Sequence, residues 1–394
     1  MEIKQIDAIL FRILYLLVAG IAVSEVLSFS DLTSALFILT FPLTVALWAR
    51  SVRKTLTGLD FLVIVTAALA VVNVLINASL TDTPLTFDYI KKLIMFIMSL
   101  LFLQTSYRMK AGQDLVRFVN NLVDFLTLFF IVMFFVDNTE MHMIGEYVSS
   151  YLTFRFSNPN LTGLFLVSMY MLELYRLFSP EKRSRKLVHI IMAGFLAYFT
   201  LLSQSRNSIL ALVIFTVICA WLMFKSRRSV LRINKFWATV ISLSPALFAV
   251  GYMILIEIPW IQNILSFLTG EGKNLSSRVA VWRPALENLL KSPLFGAYSQ
   301  VSDGTGMSQL HNTHIDIAGS YGIIVLILVC ILLYKYFYQN GRYYSNKSSY
   351  IYILAFACAI FLGIGEAALF SGSLGLYAFI GTLLMFSDVE TKKA

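Results

Sequence analysis

Residues 57–79 read TGLDFLVIVTAALAVVNVLINAS. Asp60 is the only charge in the stretch, and its length suits the roughly 20 residues that carry an α-helix across a bilayer core. Working outward, similar apolar runs recur at 8–28, 31–49, 89–107, 115–136, 160–178, 187–204, 207–225, 236–257, 314–336, 349–369 and 373–387. Twelve spans are therefore expected, give or take one. The composition agrees. Of 394 residues, 58% are hydrophobic and 13% charged, against about 45–50% and about 25% in a soluble chain. That excess excludes a soluble core, a disordered chain, a coiled coil and a disulfide scaffold. The expected fold is all-α: one polytopic membrane helix bundle over 1–394, with a long connection at 258–313 that contains a short amphipathic helix.

The net charge of +9 is read as the Lys/Arg bias that orients membrane proteins, so no nucleic-acid partner is expected. With a cytoplasmic N-terminus, eight of the 31 Lys and Arg residues fall outside: Lys91, Lys92, Arg155, Arg206, Lys273, Arg278, Arg283 and Lys291. The other 23 fall inside. The expected topology is therefore multi-pass with both termini cytoplasmic. MEIKQIDAILFRILYLLVAGIAV at the N-terminus reads as a retained span rather than a signal peptide. Cys219, Cys330 and Cys358 lie in apolar runs and read as helix-packing residues.

The eight outer cations are informative because charge sorting does not explain them. Arg206, in LLSQSRNSILAL, sits at a very short turn between two spans. It is either snorkelling to headgroups or facing a polar site built with Ser203, Gln204, Ser205 and Asn207. Arg278 follows GEGKNLSS and opens VAVWRPALENLLK. There Trp282, Leu286 and Leu289 share one face of a helix, Ser276 or Ser277 caps it, and Pro284 kinks it or sits in its first turn. A guanidinium at a helix start suits a phosphate. His311, Asn312, His314 and Asp316 stand together in LHNTHIDIAGSYGIIV. A neutral imidazole is a natural general base; the H-x-x-H-x-D string also admits a metal, or a histidine that merely caps a helix. Arg155 and Asn160 lie in YLTFRFSNPN, a second long outer connection at about 137–159. Asp124 and Glu366 are expected to pair with cations inside the bundle; His142 and His189 are given no role.

Three of these stretches together resemble the O-antigen ligase and Wzy-type polysaccharide polymerase superfamily. His311–Asn312, nine residues and Gly322 look like its H-[N/S/Q]-x9-G-x-x-G signature, with Val325 in place of the last glycine. SRVAVWRPALENLLKSPLFG resembles its R-x3-W…P-x-x-G block through Arg278, Trp282, Pro293 and Gly296; a second glycine near Tyr298 is missing. SQSRNS is similar to its arginine-bearing outer turn, and NPN at 158–160 to a further element. The resemblance covers about 155–325.

It implies a membrane glycosyltransferase of GT-C type, in a bacterial cytoplasmic membrane. The donor is a saccharide on undecaprenyl diphosphate, and catalysis needs no metal or cofactor. His311 is then the base that deprotonates the acceptor hydroxyl, and Arg206 and Arg278 grip the diphosphate. Arg155, Asn160, Trp282, Asn312, His314 and Asp316 are further candidate substrate contacts. The implied partners are the lipid-linked oligosaccharide, a glycan acceptor and the bilayer, with a flippase and a chain-length regulator as companions. A polymerase joining repeat units into capsule, exopolysaccharide or O-antigen is favoured. A ligase moving finished glycan to lipid A core or another acceptor is the alternative. A transporter or flippase is third, since the cations gather at span ends rather than along a path.

Overall fold

The computed structural model describes residues 5–53, 55–80, 85, 87–109, 113–136, 140–144, 147–154, 156, 159–178, 183–224, 233–255, 257–261, 276–296, 310–341, 347–365 and 370. In chain order its elements are α1 (Gln5–Val26), α2 (Ser30–Val52), α3 (Gly58–Leu80), α4 (Phe87–Arg108) and α5 (Gln113–Val136). The hairpin β1 (Glu140–Ile144) and β2 (Tyr147–Tyr151) follows, antiparallel, with Glu140 opposite Tyr151. Then come α6 (Pro159–Phe178), α7 (Arg183–Leu202), α8 (Arg206–Phe224), α9 (Lys235–Leu255), α10 (Ser276–Lys291), α11 (Thr313–Tyr321), α12 (Ile323–Gly341) and α13 (Lys347–Leu362).

Among the described residues, seven helices are long and apolar enough to cross a membrane by length and composition: α1 to α5, α7 and α9. Shorter apolar stretches occupy α8, α12 and α13. Their outer faces are oily. Ile38, Phe61, Val217 and Phe236 are each more than three-fifths exposed, which a soluble surface does not sustain over so many elements. The chain is thus a polytopic helical membrane protein. The expected spans and the helices coincide closely up to α9. The expected span at 373–387, together with Glu366, lies outside the described residues.

Hydroxyls inside such a bundle have no water to bond. Many return to their own helix at i−4: Thr66 to Leu62 O, Ser99 to Met95 O, Thr127 to Val123 O and Thr216 to Leu212 O, at 2.6–2.9 Å. Charges are paired across helices. Asp60 is the N3 residue of α3; it accepts from Thr57 N and Oγ1 as half of a capping box, and also from Gln104 and Arg108 at the end of α4. Tyr336 of α12 donates to Gln104 at 2.7 Å. Asp124 pairs with a cation as expected, Arg176 of α6. Glu173 and His189, 2.8 Å apart, complete that cluster across α5, α6 and α7. Its three candidate metal-ligand groups already share the Arg176 guanidinium.

The largest departure from expectation is the span read as continuous over 314–336. It is two helices, broken at Gly322, which takes φ of +87°. A Cβ there would lie 2.0 Å from the Leu294 carbonyl oxygen. The turn after α10 has been pushed against the break: Ile323 N–H donates to Pro293 O at 2.8 Å, and Gly296, φ +81°, approaches Gly319 O just as closely as a missing Cβ allows. The Pro-x-x-Gly block and the glycine that this chain keeps from the histidine motif, Gly322, are therefore two sides of one contact.

Gly322→Ala is expected to cost on the order of 3 kcal/mol or more, through a forced left-handed alanine and a backbone clash. Heating the detergent-solubilised variant and following monodisperse protein by size exclusion should show a lowered melting temperature. Gly194→Ala, whose added methyl meets nothing within 4 Å, should melt like the parent.

Candidate functional site

The site is built around α11, a nine-residue helix of which every residue is buried. Its sequence, THIDIAGSY, begins with polar groups. Burying those is tolerable only if each finds a partner.

Asn312 is the N-cap. Its Oδ1 accepts from His314 N and Ile315 N at 3.0 and 3.1 Å, and its Nδ2 donates to Pro245 O and Ile364 O at 2.9 and 3.0 Å. One amide thereby ties α11 to α9 and to the end of α13. Thr313 N–H adds a bond to Gly363 O at 2.9 Å. The α9 partner is a weak point in its own helix. Pro245 has no N–H for the Ile241 carbonyl, and Ser244 Oγ supplies a donor there at 2.8 Å. Ala246 N–H then donates to His314 Nδ1 at 3.3 Å.

Asp316 is 2% exposed and forms an ion pair with Lys92 at the start of α4, 2.7 Å apart. The far end of α11 is held by Asn73 of α3, whose Nδ2 donates to Tyr321 O at 2.6 Å and Leu294 O at 3.0 Å. His314 and Asp316 thus each have a partner outside the H-x-x-H-x-D string. Among the described residues that string does not gather into a metal-ligand group.

His311 precedes this anchored helix. It is half-buried and takes φ of +48°, a left-handed conformation uncommon for a residue with a side chain. Behind it, Trp282 of α10 is fully buried and donates from Nε1 to Leu310 O at 2.6 Å. Its ring meets Tyr252 of α9 edge-on, within a cluster that includes Ala249, Ala285 and Ile315. The predicted helix face holds: Trp282 and Leu289 are buried, joined by Val281 and Ala285, and Leu286 is half-buried. Pro284 lies mid-helix on the exposed side. Arg278 lies in the first turn of α10, which starts at Ser276.

A second group of predicted residues collects at the α7–α8 turn. Gln204 adopts φ of +53°, Ser203, Ser205 and Ser208 are buried, and Arg206 is exposed as the first residue of α8. Gly163 of α6 touches this turn; a Cβ there would lie 2.5 Å from Ser205 Cβ. Asn160, in the first turn of α6, is half-buried nearby in the chain. Arg155 lies outside the described residues. The helix α13 packs against both α8, which begins at Arg206, and α9, which carries Pro245. Sequence reasoning passed over Asn73 and Pro245, although each is a visible interruption of an apolar run. It saw Lys92 without its partner.

Fold and site together define a multi-pass helical membrane protein with a buried, side-chain-anchored helix at its polar centre. Residues 191–330, or 140 of 394, match the family model described as O-antigen ligase. This match supports the superfamily resemblance and covers Arg206, Arg278, Trp282 and the whole of α11. The family implies a membrane glycosyltransferase-like enzyme with lipid-linked glycan substrates, in the inner membrane. A comparison with curated proteins found no match.

Lys92→Met leaves the Asp316 carboxylate buried without its cation, at a cost of about 3–5 kcal/mol. The double variant Lys92→Met, Asp316→Asn should recover much of that. Melting curves of the three proteins in one detergent test this; equal losses in single and double variants would mean the pair adds nothing.

Proposed function

We propose that the protein is a polysaccharide polymerase. It joins undecaprenyl-diphosphate-linked repeat units at the outer face of the cytoplasmic membrane. The observation that carries this reading is His311: a half-buried imidazole on a left-handed backbone, at the lip of a helix that is otherwise buried and anchored at both ends. Strain of that kind persists where the surroundings over-determine it, and it clusters at active sites.

In the proposed reaction, the hydroxyl of the acceptor sugar attacks the anomeric carbon of the donor. A C–O bond forms, the bond between that carbon and the phosphate oxygen breaks, and the hydroxyl proton passes to His311. The leaving diphosphate carries growing negative charge. Arg206, at the exposed start of α8, and Arg278, in the first turn of α10, offset it with guanidinium forks. The α8 start adds support, since Asn207 Nδ2 is buried there with no acceptor among the described residues. Asn312, His314, Asp316 and Trp282 act by holding His311 in place, since Asn312, His314 Nδ1 and the Trp282 indole bond backbone groups and Asp316 bonds Lys92. Acceptor recognition falls to the connections of the long loop.

The alternative is a ligase that moves finished glycan to lipid A core or another acceptor; the description of the matched family favours it. The two differ only in acceptor.

Purified protein in nanodiscs, given repeat units on undecaprenyl diphosphate and no other acceptor, should yield a ladder of longer lipid-linked glycans, and should do so in excess chelator. Transfer only after lipid A core is added would establish the ligase instead. His311→Ala should abolish turnover. Arg206→Lys and Arg278→Lys should each lower it by on the order of ten-fold or more, since an ammonium cannot reproduce the fork. A ladder of normal rate from His311→Ala would remove the base assignment.

A further inference from the structure

His314 lies three residues beyond His311, and its ring is 1% exposed. Its Nδ1 accepts the Ala246 N–H, which places the ring proton on Nε2 of a neutral imidazole. Nε2 has no hydrogen-bond partner among the described residues. Ala246 directly follows Pro245, whose carbonyl takes the Asn312 amide. Two consecutive residues at the proline break in α9 are thus bonded by two side chains from the start of α11. On the other side of His311, the Leu310 carbonyl is held by Trp282. His311 stands between two anchored neighbours and takes a positive φ. Releasing the His314 anchor loosens the hold of α9 on the start of α11, and with it the backbone from which the His311 ring projects.

We propose that His314 is a positioning residue. Through Nδ1 it fastens the start of α11 to the proline break of α9, and so fixes where the His311 imidazole stands. This rests on the reading of His311 as the base. His314 then acts by geometry, through His311, and its effect belongs to the chemical step rather than to donor binding.

Three substitutions separate the atoms of the ring. His314→Asn puts Oδ1 where Nδ1 stood and deletes Nε2. His314→Gln reaches toward the Nε2 position but carries its oxygen past the Ala246 N–H. His314→Leu keeps bulk and removes both. Each full-length variant is assayed in nanodiscs with repeat units on undecaprenyl diphosphate at varied concentration, and its thermal shift with free undecaprenyl diphosphate is recorded. Leu and Gln should lower kcat on the order of ten- to a hundred-fold while KM for the donor and the thermal shift stay within about two-fold. Asn should rescue most of the lost kcat. Activity in Gln but not Asn would overturn the proposal and make Nε2 a substrate contact; similar rates in all three, or a loss expressed in KM, would overturn it too. If Leu fails to accumulate in the membrane, the Asn–Gln pair decides alone. His311→Ala is run alongside: full activity there sinks the base reading itself, whatever the His314 series gives.

Discussion

A helix inside a bilayer must satisfy its own backbone, since lipid offers no hydrogen bonds. This protein breaks that rule twice within a few residues of its polar centre, at Pro245 and at Gly322, and the structure around both breaks is the repair. The Ile241 carbonyl is met by a serine one turn on, the Pro245 carbonyl by Asn312 and the Ala246 amide by His314. At Gly322 the neighbouring Tyr321 and Leu294 carbonyls share the Asn73 amide, and Ile323 N–H reaches Pro293. Side chains that looked like ligands are in large part backbone substitutes. Their cost is offset only if all are present together, which is why so short a buried helix can persist.

The electrostatics divide along the helices. Lys92 and Arg108 sit 16 positions apart in α4, about 24 Å at 1.5 Å per residue. Each is married to a buried carboxylate on another element, Asp316 and Asp60 respectively. Neither pair is cheap to bury. Each replaces a free charge in the membrane by a neutral couple and fixes the register of α4 against α11 at one end and α3 at the other. The Asp124–Arg176–Glu173–His189 cluster does the same for α5, α6 and α7.

How much of this was readable beforehand varies with the physics. Long apolar runs give helices directly, because period and length are local properties of the chain. The amphipathic face around Trp282 was readable for the same reason, and so was the grouping of His311 to Asp316, since these residues are sequence neighbours. The break at Gly322 was not. A glycine in an apolar run packs, bends or breaks according to what approaches it, and here that is Leu294, 28 residues upstream. Asn73 and Lys92 were opaque because their partners lie more than 200 residues away. The left-handed backbone of His311 was opaque because it is imposed by neighbours rather than preferred by the residue.

The connection between α9 and α11 is fastened at two separate places. Gly296 is wedged against the α11–α12 corner, and Leu310 is held by the indole of Trp282. The segment joining them, residues 297–309, therefore enters and leaves through fixed gates. Two contacts made by described residues, one backbone wedge and one indole, thus stand between that stretch and α11, so a disturbance arising within it meets a fixed point at either end before it reaches the buried helix.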